Sequence, residues 1–242
     1  MAEGEPCIKV NAGVSLKINE GVVKATESHG GKGIVLEDDS TLHMVNVHLT
    51  NFKRGAIRSD DTSNVNVKVE GCKVTENHAG SGPINIKNSA GSNLTIIDSV
   101  FANNTNSNHG GAVYFEDSGC LIIKNSEFIF NTAGRHGGAI SMKGEKLSIS
   151  SSLFISNKGA HGILFVKDIT SEGVIESTKF VDNKATADGG GIYLHYGTSK
   201  VTVESDVILQ GNVAGNQGNG IYCKPGSGAS VLVTKTDDIK NC

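Results

Sequence analysis

One short segment recurs along this chain, and a chain that repeats itself at near-fixed length must stack copies of one unit rather than assemble unrelated elements. The segment runs small residue, aliphatic, any residue, apolar. It reads GIVL at Gly33, AIRS at Ala56, PINI at Pro83 and AVYF at Ala112, then AISM at Ala139, GILF at Gly162, GIYL at Gly191 and GIYC at Gly220. Successive copies lie 23 to 29 residues apart, with a mean of about 27, inside the span typical of stacked supersecondary repeats.

Each repeat carries a second half in the same register. Pairs of alternating apolar residues come first, as at Val67 and Val69, Leu94 and Ile96, Leu121 and Ile123, Leu147 and Ile149. A small or hydroxyl column follows at Cys72, Ser99, Ser126, Ser152 and Thr178, then a large apolar column at Leu49, Val74, Phe101, Phe128, Phe154 and Phe180. Three residues later stand Asn77, Asn104, Asn131, Asn157 and Asn183, with Phe52 in the first repeat; one extra residue in the seventh repeat gives Leu209 and Asn212. Short runs with period 2, broken by Gly and Asn, specify strands rather than helices. A coil of this length holding two or three short strands suits a parallel β-helix, in which equivalent residues of successive coils lie about 4.8 Å apart. The phenylalanines are expected to stack inside, and the Asn column to bond its neighbours and the turn backbone.

Composition agrees with that architecture. The chain of 242 residues has 31 Gly, 3 Pro and no Trp, which favours tight turns and pleated surfaces over helices. Lys and Arg number 22 against 25 Asp and Glu, a net charge of −3, so there is no global electrostatic footprint for nucleic acid or an anionic membrane. The longest apolar run, Ile163-Leu164-Phe165-Val166, is far too short to span a bilayer. The opening Met1-Ala2-Glu3-Gly4-Glu5 has neither the basic nor the apolar region of a signal peptide.

The motifs GGAVYF at Gly110, GGAI at Gly137 and the variant GGGIYL at Gly189 alternate with FANN at Phe101, FIFN at Phe128, FISN at Phe154 and FVDN at Phe180. This fixed-phase alternation resembles the GGA[I/L/V] and FxxN repeats of the polymorphic outer-membrane protein family of chlamydial type. The resemblance implies a right-handed β-helix displayed at a cell surface, often in adhesion, and does not imply catalysis. The fold expected is therefore an all-β, right-handed parallel β-helix of about eight coils. Residues 1–242 are expected to form one domain, with 1–11 as a possible N-terminal cap and 220–242 as a last, degenerate coil.

Parallel β-helices also host polysaccharide lyases and hydrolases, which need carboxylates converging on one outer face. The outward positions of the first strand read Val35, Arg58, Asn85, Tyr114, Ser141, Leu164, Tyr193, Tyr222 and, two residues on, Glu37, Asp60, Lys87, Glu116, Lys143, Val166, His195, Lys224. No three acids converge there, and the second column reads as a mixed-sign surface ladder. The acidic pairs Asp38-Asp39, Asp60-Asp61 and Glu116-Asp117 fall where strand gives way to turn, where solvated carboxylates are common. No catalytic residue, metal site or cofactor is assigned.

Two outer features are candidate binding elements. His29, His78, His109, His136 and His161 precede the glycine corner, with His109 and His136 in the same place; such a row either serves the turn or responds to metal and mild acid. Tyr193 and Tyr222 read as exposed neighbours, with Tyr114 in the same column, and exposed aromatics can meet sugar rings or anchor a protein. Cys223 and Cys242 lie about one coil apart, close enough to staple the last coil in an oxidising compartment. Asn93 and Asn103 head glycosylation sequons that matter only in a eukaryotic secretory setting. The leading expectation is a non-catalytic surface or extracellular module binding a protein or glycan. The alternative is a filament subunit self-associating through its coil ends, and a polysaccharide lyase or hydrolase stands third; neither nucleic acid nor membrane insertion is expected.

Overall fold

The computed structural model describes residues 6–25, 31–60, 63–80, 82–87, 91–116, 118–198, 200–232 and 238–242. Among them every regular element is a strand, and every strand pairing in register is parallel. The chain is a parallel β-solenoid of about eight turns. The central coils each run through three strand positions and a two-residue bridge. Coil four shows all of them: Val113–Glu116, Cys120–Lys124, Glu127–Ile129 and Thr132–Ala133.

The expected columns are the observed ladders. Val67, Leu94, Leu121 and Leu147 pair in sequence across the second strand position, and Val74, Phe101, Phe128, Phe154 and Phe180 across the third. The four phenylalanine rings stack at centroid distances of 4.9, 4.8 and 4.6 Å with interplanar angles of 6° to 11°. The Asn column is fully buried from Asn77 to Asn157. Each amide donates to the next, as Asn104 Nδ2 does to Asn131 Oδ1 at 2.9 Å, while Oδ1 of Asn131 also accepts from the Asn104 backbone N–H at 3.2 Å. The hydroxyl column works the same way: the backbone N–H of Cys72 donates to Ser99 Oγ at 3.1 Å and that of Ser99 to Ser126 Oγ at 3.2 Å. Cys72 occupies that ladder too, its Sγ accepting the Val47 N–H at 3.4 Å. Backbone polar groups that the turns would bury unpaired are satisfied by these side chains, which makes the polar columns architectural.

The glycine corner is equally determined by geometry. Gly137 has φ +69°, and a Cβ on Gly138 would meet the Lys158 backbone carbonyl carbon at 2.6 Å. One glycine supplies the left-handed turn and the next permits close approach of the neighbouring coil.

Three particulars depart from the sequence reading. Ile8–Val10 is itself a strand, paired on Ile34–Leu36, so the stretch up to Asn11 adds to the solenoid instead of only covering it; residues 1–5 lie outside the described residues. At the other end Ile239–Lys240 pairs on Ile221–Cys223, beginning a further coil after Val231, while Val233 lies outside the described residues. His29, Asp61 and Asp117 also lie outside them. The third departure concerns coil six and decides the outer face. Gly137 N–H donates to His161 O, and both Ala139 and Ile140 N–H donate to Ile163 O. Gly162 therefore matches Gly137, and Ile163 follows it directly where coil five has Gly138 and Ala139. The corner is one residue shorter, so Leu164 and Val166 point inward, fully buried, while Phe165 and Lys167 take the outward columns beside Ser141 and Lys143.

Candidate functional site

With that register, the outward column reads Asn85, Tyr114, Ser141, Phe165, Tyr193, Tyr222. Ser141 is the single gap between Tyr114 and a run of three aromatic residues. The histidines of the preceding corner lean across that gap. Six rings form one continuous stack, in the order Tyr114, His109, His136, Phe165, Tyr193, Tyr222, at centroid distances of 5.6, 4.9, 4.5, 5.2 and 5.1 Å. The aromatic column and the histidine row, separate features in the sequence, are one object. His161 extends its flank, meeting His136 at 5.1 Å and Tyr193 edge-on at 5.2 Å.

The stack changes what the tyrosines offer. Tyr193 and Tyr222 are neighbours, but Tyr193 is only 5% exposed and Phe165 only 7%. Tyr222 and Tyr114 are half-buried. Ring faces are spent on one another, so a partner meets ring edges, hydroxyls and imidazole nitrogens. His78 stands apart, in register with Thr105 and bonded to its hydroxyl at 2.7 Å.

Beside the stack lies a depression of about 220 Å³. Ser141, Tyr114, His136 and Phe165 line it together with Glu116, Lys143 and Lys167. Glu116 is held by the Tyr114 hydroxyl, which donates to its Oε2. That bond, with burial first, raises the Tyr114 phenol well above its ordinary range, and burial pushes Tyr193 up to about 12. Both phenols therefore stay protonated donors at neutral pH.

Burial also holds the imidazoles neutral. His136 is pushed down to about 4, by burial first and then by repulsion from His109, His161, His195 and Arg135. His109, His161 and His195 shift the same way, each mainly through burial. The Nδ1 atoms of His136 and His161 are buried and make no hydrogen bond among the described residues; the latter lies 3.7 Å from Asp188 Oδ2. At His136 an unpaired lone pair is less costly than an unpaired N–H, which favours its proton on Nε2, whereas the Asp188 carboxylate favours an N–H on His161 Nδ1. Stacked rings cannot converge on one ion, and no metal-holding group of three occurs among the described residues.

A second outward column runs parallel to the stack. Lys143 is in register with Lys167, while His195 and Lys224 continue the ladder through bonds from their N–H groups to Val166 O and Leu194 O. The Val166 that interrupts this column in the sequence reading belongs to the core. Three of these four successive rungs are therefore lysines. Lys167 Nζ lies 3.7 Å from Asp168. Lys224 Nζ sits 4.6 Å from the Tyr196 ring centre and 3.4 Å from His195 Nε2. Lys143 is exposed and makes no ion pair or hydrogen bond among the described residues.

Elsewhere, Cys223 and Cys242 are joined by a disulfide, with their Cα atoms 5.0 Å apart. Asn93 lies within a strand, its amide donating to Asn66 Oδ1 at 3.0 Å and its Oδ1 accepting from Cys120 N–H. Asn103 is exposed at a turn with φ 56°. Asp38 and Asp39 tie their turn to that of the next coil, accepting from Ser63 and Asn64.

A solenoid with an external ring stack, a basic row and a shallow notch defines the class of this protein as a β-helix with one differentiated face. A family-wide sequence profile described as right handed beta helix region matches residues 32–236. The chain belongs to that family. No curated protein matches it, and no solved structure does either.

Proposed function

We propose that this protein is a non-catalytic binding module, displayed extracellularly or at a cell surface, that presents the ring stack and its notch to a glycan. The carrying observation is the continuous six-ring stack from Tyr114 to Tyr222 beside the Ser141 notch. Its edge offers phenol and imidazole donors on a rigid lattice, and rigid, pre-ordered polar groups flanking an apolar wall suit hydroxyl-rich ligands at low entropic cost. The Cys223–Cys242 disulfide supports an oxidising compartment. The likeness to polymorphic outer-membrane repeats, with GGA corners alternating with FxxN turns, supports surface display.

A glycan array tests the reading with wild type and Ser141→Tyr. The substitution places a ring in the notch without touching the core. Binding by wild type that drops about tenfold or more in the variant supports the site. An array blank for wild type sinks it.

End-to-end assembly is the second reading, favoured by exposed Val22 on the first described coil and Leu232 on the last. Long particles in electron micrographs would support it, and a monomer at high concentration by light scattering would remove it. A lyase or hydrolase is third, with Glu116 the carboxylate at the notch; turnover of a uronate polymer that Glu116→Gln abolishes would place catalysis first.

A further inference from the structure

We propose that the ligand of this face is a polyanionic glycan lying along the solenoid axis, its acidic groups on the lysines Lys143, Lys167 and Lys224 and its sugar rings against the edge of the ring stack. The proposal rests on the glycan-binding reading above and adds the chemical class of the ligand. The coil-six register carries it: a one-residue shorter corner puts Lys167, rather than a valine, in line with Lys143. Lysines then occupy three of four consecutive rungs, with His195 as a neutral hydrogen-bonding rung between Lys167 and Lys224, on a chain whose net charge is −3. The positive strip is therefore a local feature of one face.

The strip has a direction and an end. Beyond Lys143 the next rung is Glu116, whose carboxylate is held by the Tyr114 hydroxyl and repels an anion at that point. Asp168 lies 3.7 Å from Lys167 and partly offsets it, and Asp188 stands beside His161 on the far side of the stack. Lys143, which no acidic side chain engages among the described residues, is left as the strongest contact, at the mouth of the notch.

Spacing selects the polymer. Rungs repeat about every 4.8 Å, whereas an extended peptide places same-face side chains about 6.7 Å apart and falls out of step within two or three rungs. One sugar residue of an extended chain advances by about one rung, so acidic groups that face the row at every ring or every second ring fall at one- or two-rung intervals along it. Carboxylated and sulfated sugars share this chemistry.

Fluorescence polarisation with four labelled probes tests the inference: an oligogalacturonate hexamer, a sulfated dextran hexamer, an uncharged dextran hexamer and hexaglutamate. Wild type is expected to bind at least one charged glycan, with affinity that falls as salt rises. The Lys143→Gln, Lys167→Gln double variant is expected to lose about tenfold or more, while Lys179→Gln on another face changes nothing. Both substituted lysines are at the surface, so unchanged circular dichroism and melting temperature confirm that the variant is folded. Whichever of the carboxylated and sulfated hexamers binds more tightly identifies the acidic group. Equal binding of uncharged dextran, indifferent to the double variant, overturns the anionic class and leaves the glycan reading standing. Hexaglutamate binding as tightly as either charged sugar overturns the choice of polymer. Failure of all three glycans overturns both readings.

Discussion

A left-handed backbone position precedes every residue of the Asn column, and its occupants show how residue choice follows geometry. Asn51, Glu76, Asn103, Phe130, Ser156 and Asp182 have φ between 52° and 65°, and Gly211 has φ 65°. Most are polar or small, as the αL region prefers. Phe130 is the exception, a bulky ring at φ 55° that is 57% exposed, so it strains the backbone and recovers little by burial. Phe130→Asn is expected to raise stability by roughly 1 kcal/mol, read as a higher denaturant midpoint at unchanged slope. The neighbouring Asn131 behaves oppositely. Its Oδ1 accepts two bonds from Asn104, and its Nδ2 donates to Phe101 O and Asn157 Oδ1. Asn131→Ala would leave several of these groups buried without partners, a loss of about 3 kcal/mol or more; equilibrium denaturation showing under 1 kcal/mol would remove the ladder as a major stabiliser.

At the scale of the element, the molecule holds two ring stacks with different tasks. The internal one, Phe101 to Phe180, is fully buried and apolar. Phe128→Ala opens a cavity between two rings and should cost about 3–5 kcal/mol, with Phe128→Leu much milder in the same unfolding assay. The external stack includes two imidazoles, His109 and His136. His136 releases its proton near pH 4 in the fold against about 6.5 in an unfolded chain, so between those values the unfolded state binds more protons. Its contribution is therefore full above about pH 6.5, declines as pH falls towards 4 and is level below that. Melting temperature is expected to drop over this window, and less steeply in His136→Gln; equal slopes for the two proteins would show that the stack is indifferent to this proton.

For the whole molecule, a solenoid's stability is the sum of its coils and the interfaces between neighbours, so its weakest place is an end. The Cys223–Cys242 disulfide closes a loop with a sequence separation of 19 around the last described coil. Cys242→Ser is expected to cost roughly 3 kcal/mol, appearing first as proteolysis near residues 224–242 while the central coils stay protected. Cleavage that begins instead among the central coils would contradict a staple at this end.

Much of this was legible in the residues because inward positions are tightly constrained. A strand's period of 2 and the burial of one face fix which residues enter the core, so the Phe, Ser and Asn columns can be aligned by eye. Coil six was misaligned for a specific reason: GILF offers a glycine where a small residue belongs, so a match at Gly162 hides a residue missing from the corner. A shift of one residue moves every side chain of a strand to the other face, which puts Leu164 and Val166 in the outward columns where Phe165 and Lys167 belong. The run Leu164, Phe165, Val166 is apolar throughout and cannot disclose its own parity.

The sequence by itself determined the coil, its turns and its inward ladders, because burial and backbone satisfaction leave those positions few alternatives. Only the tertiary structure decided the outer face. Which outward residues become neighbours depends on hydrogen bonds between coils, and these alone merge the histidine row with the tyrosine column. The same bonds line Lys143 up with Lys167 and leave the notch at Ser141.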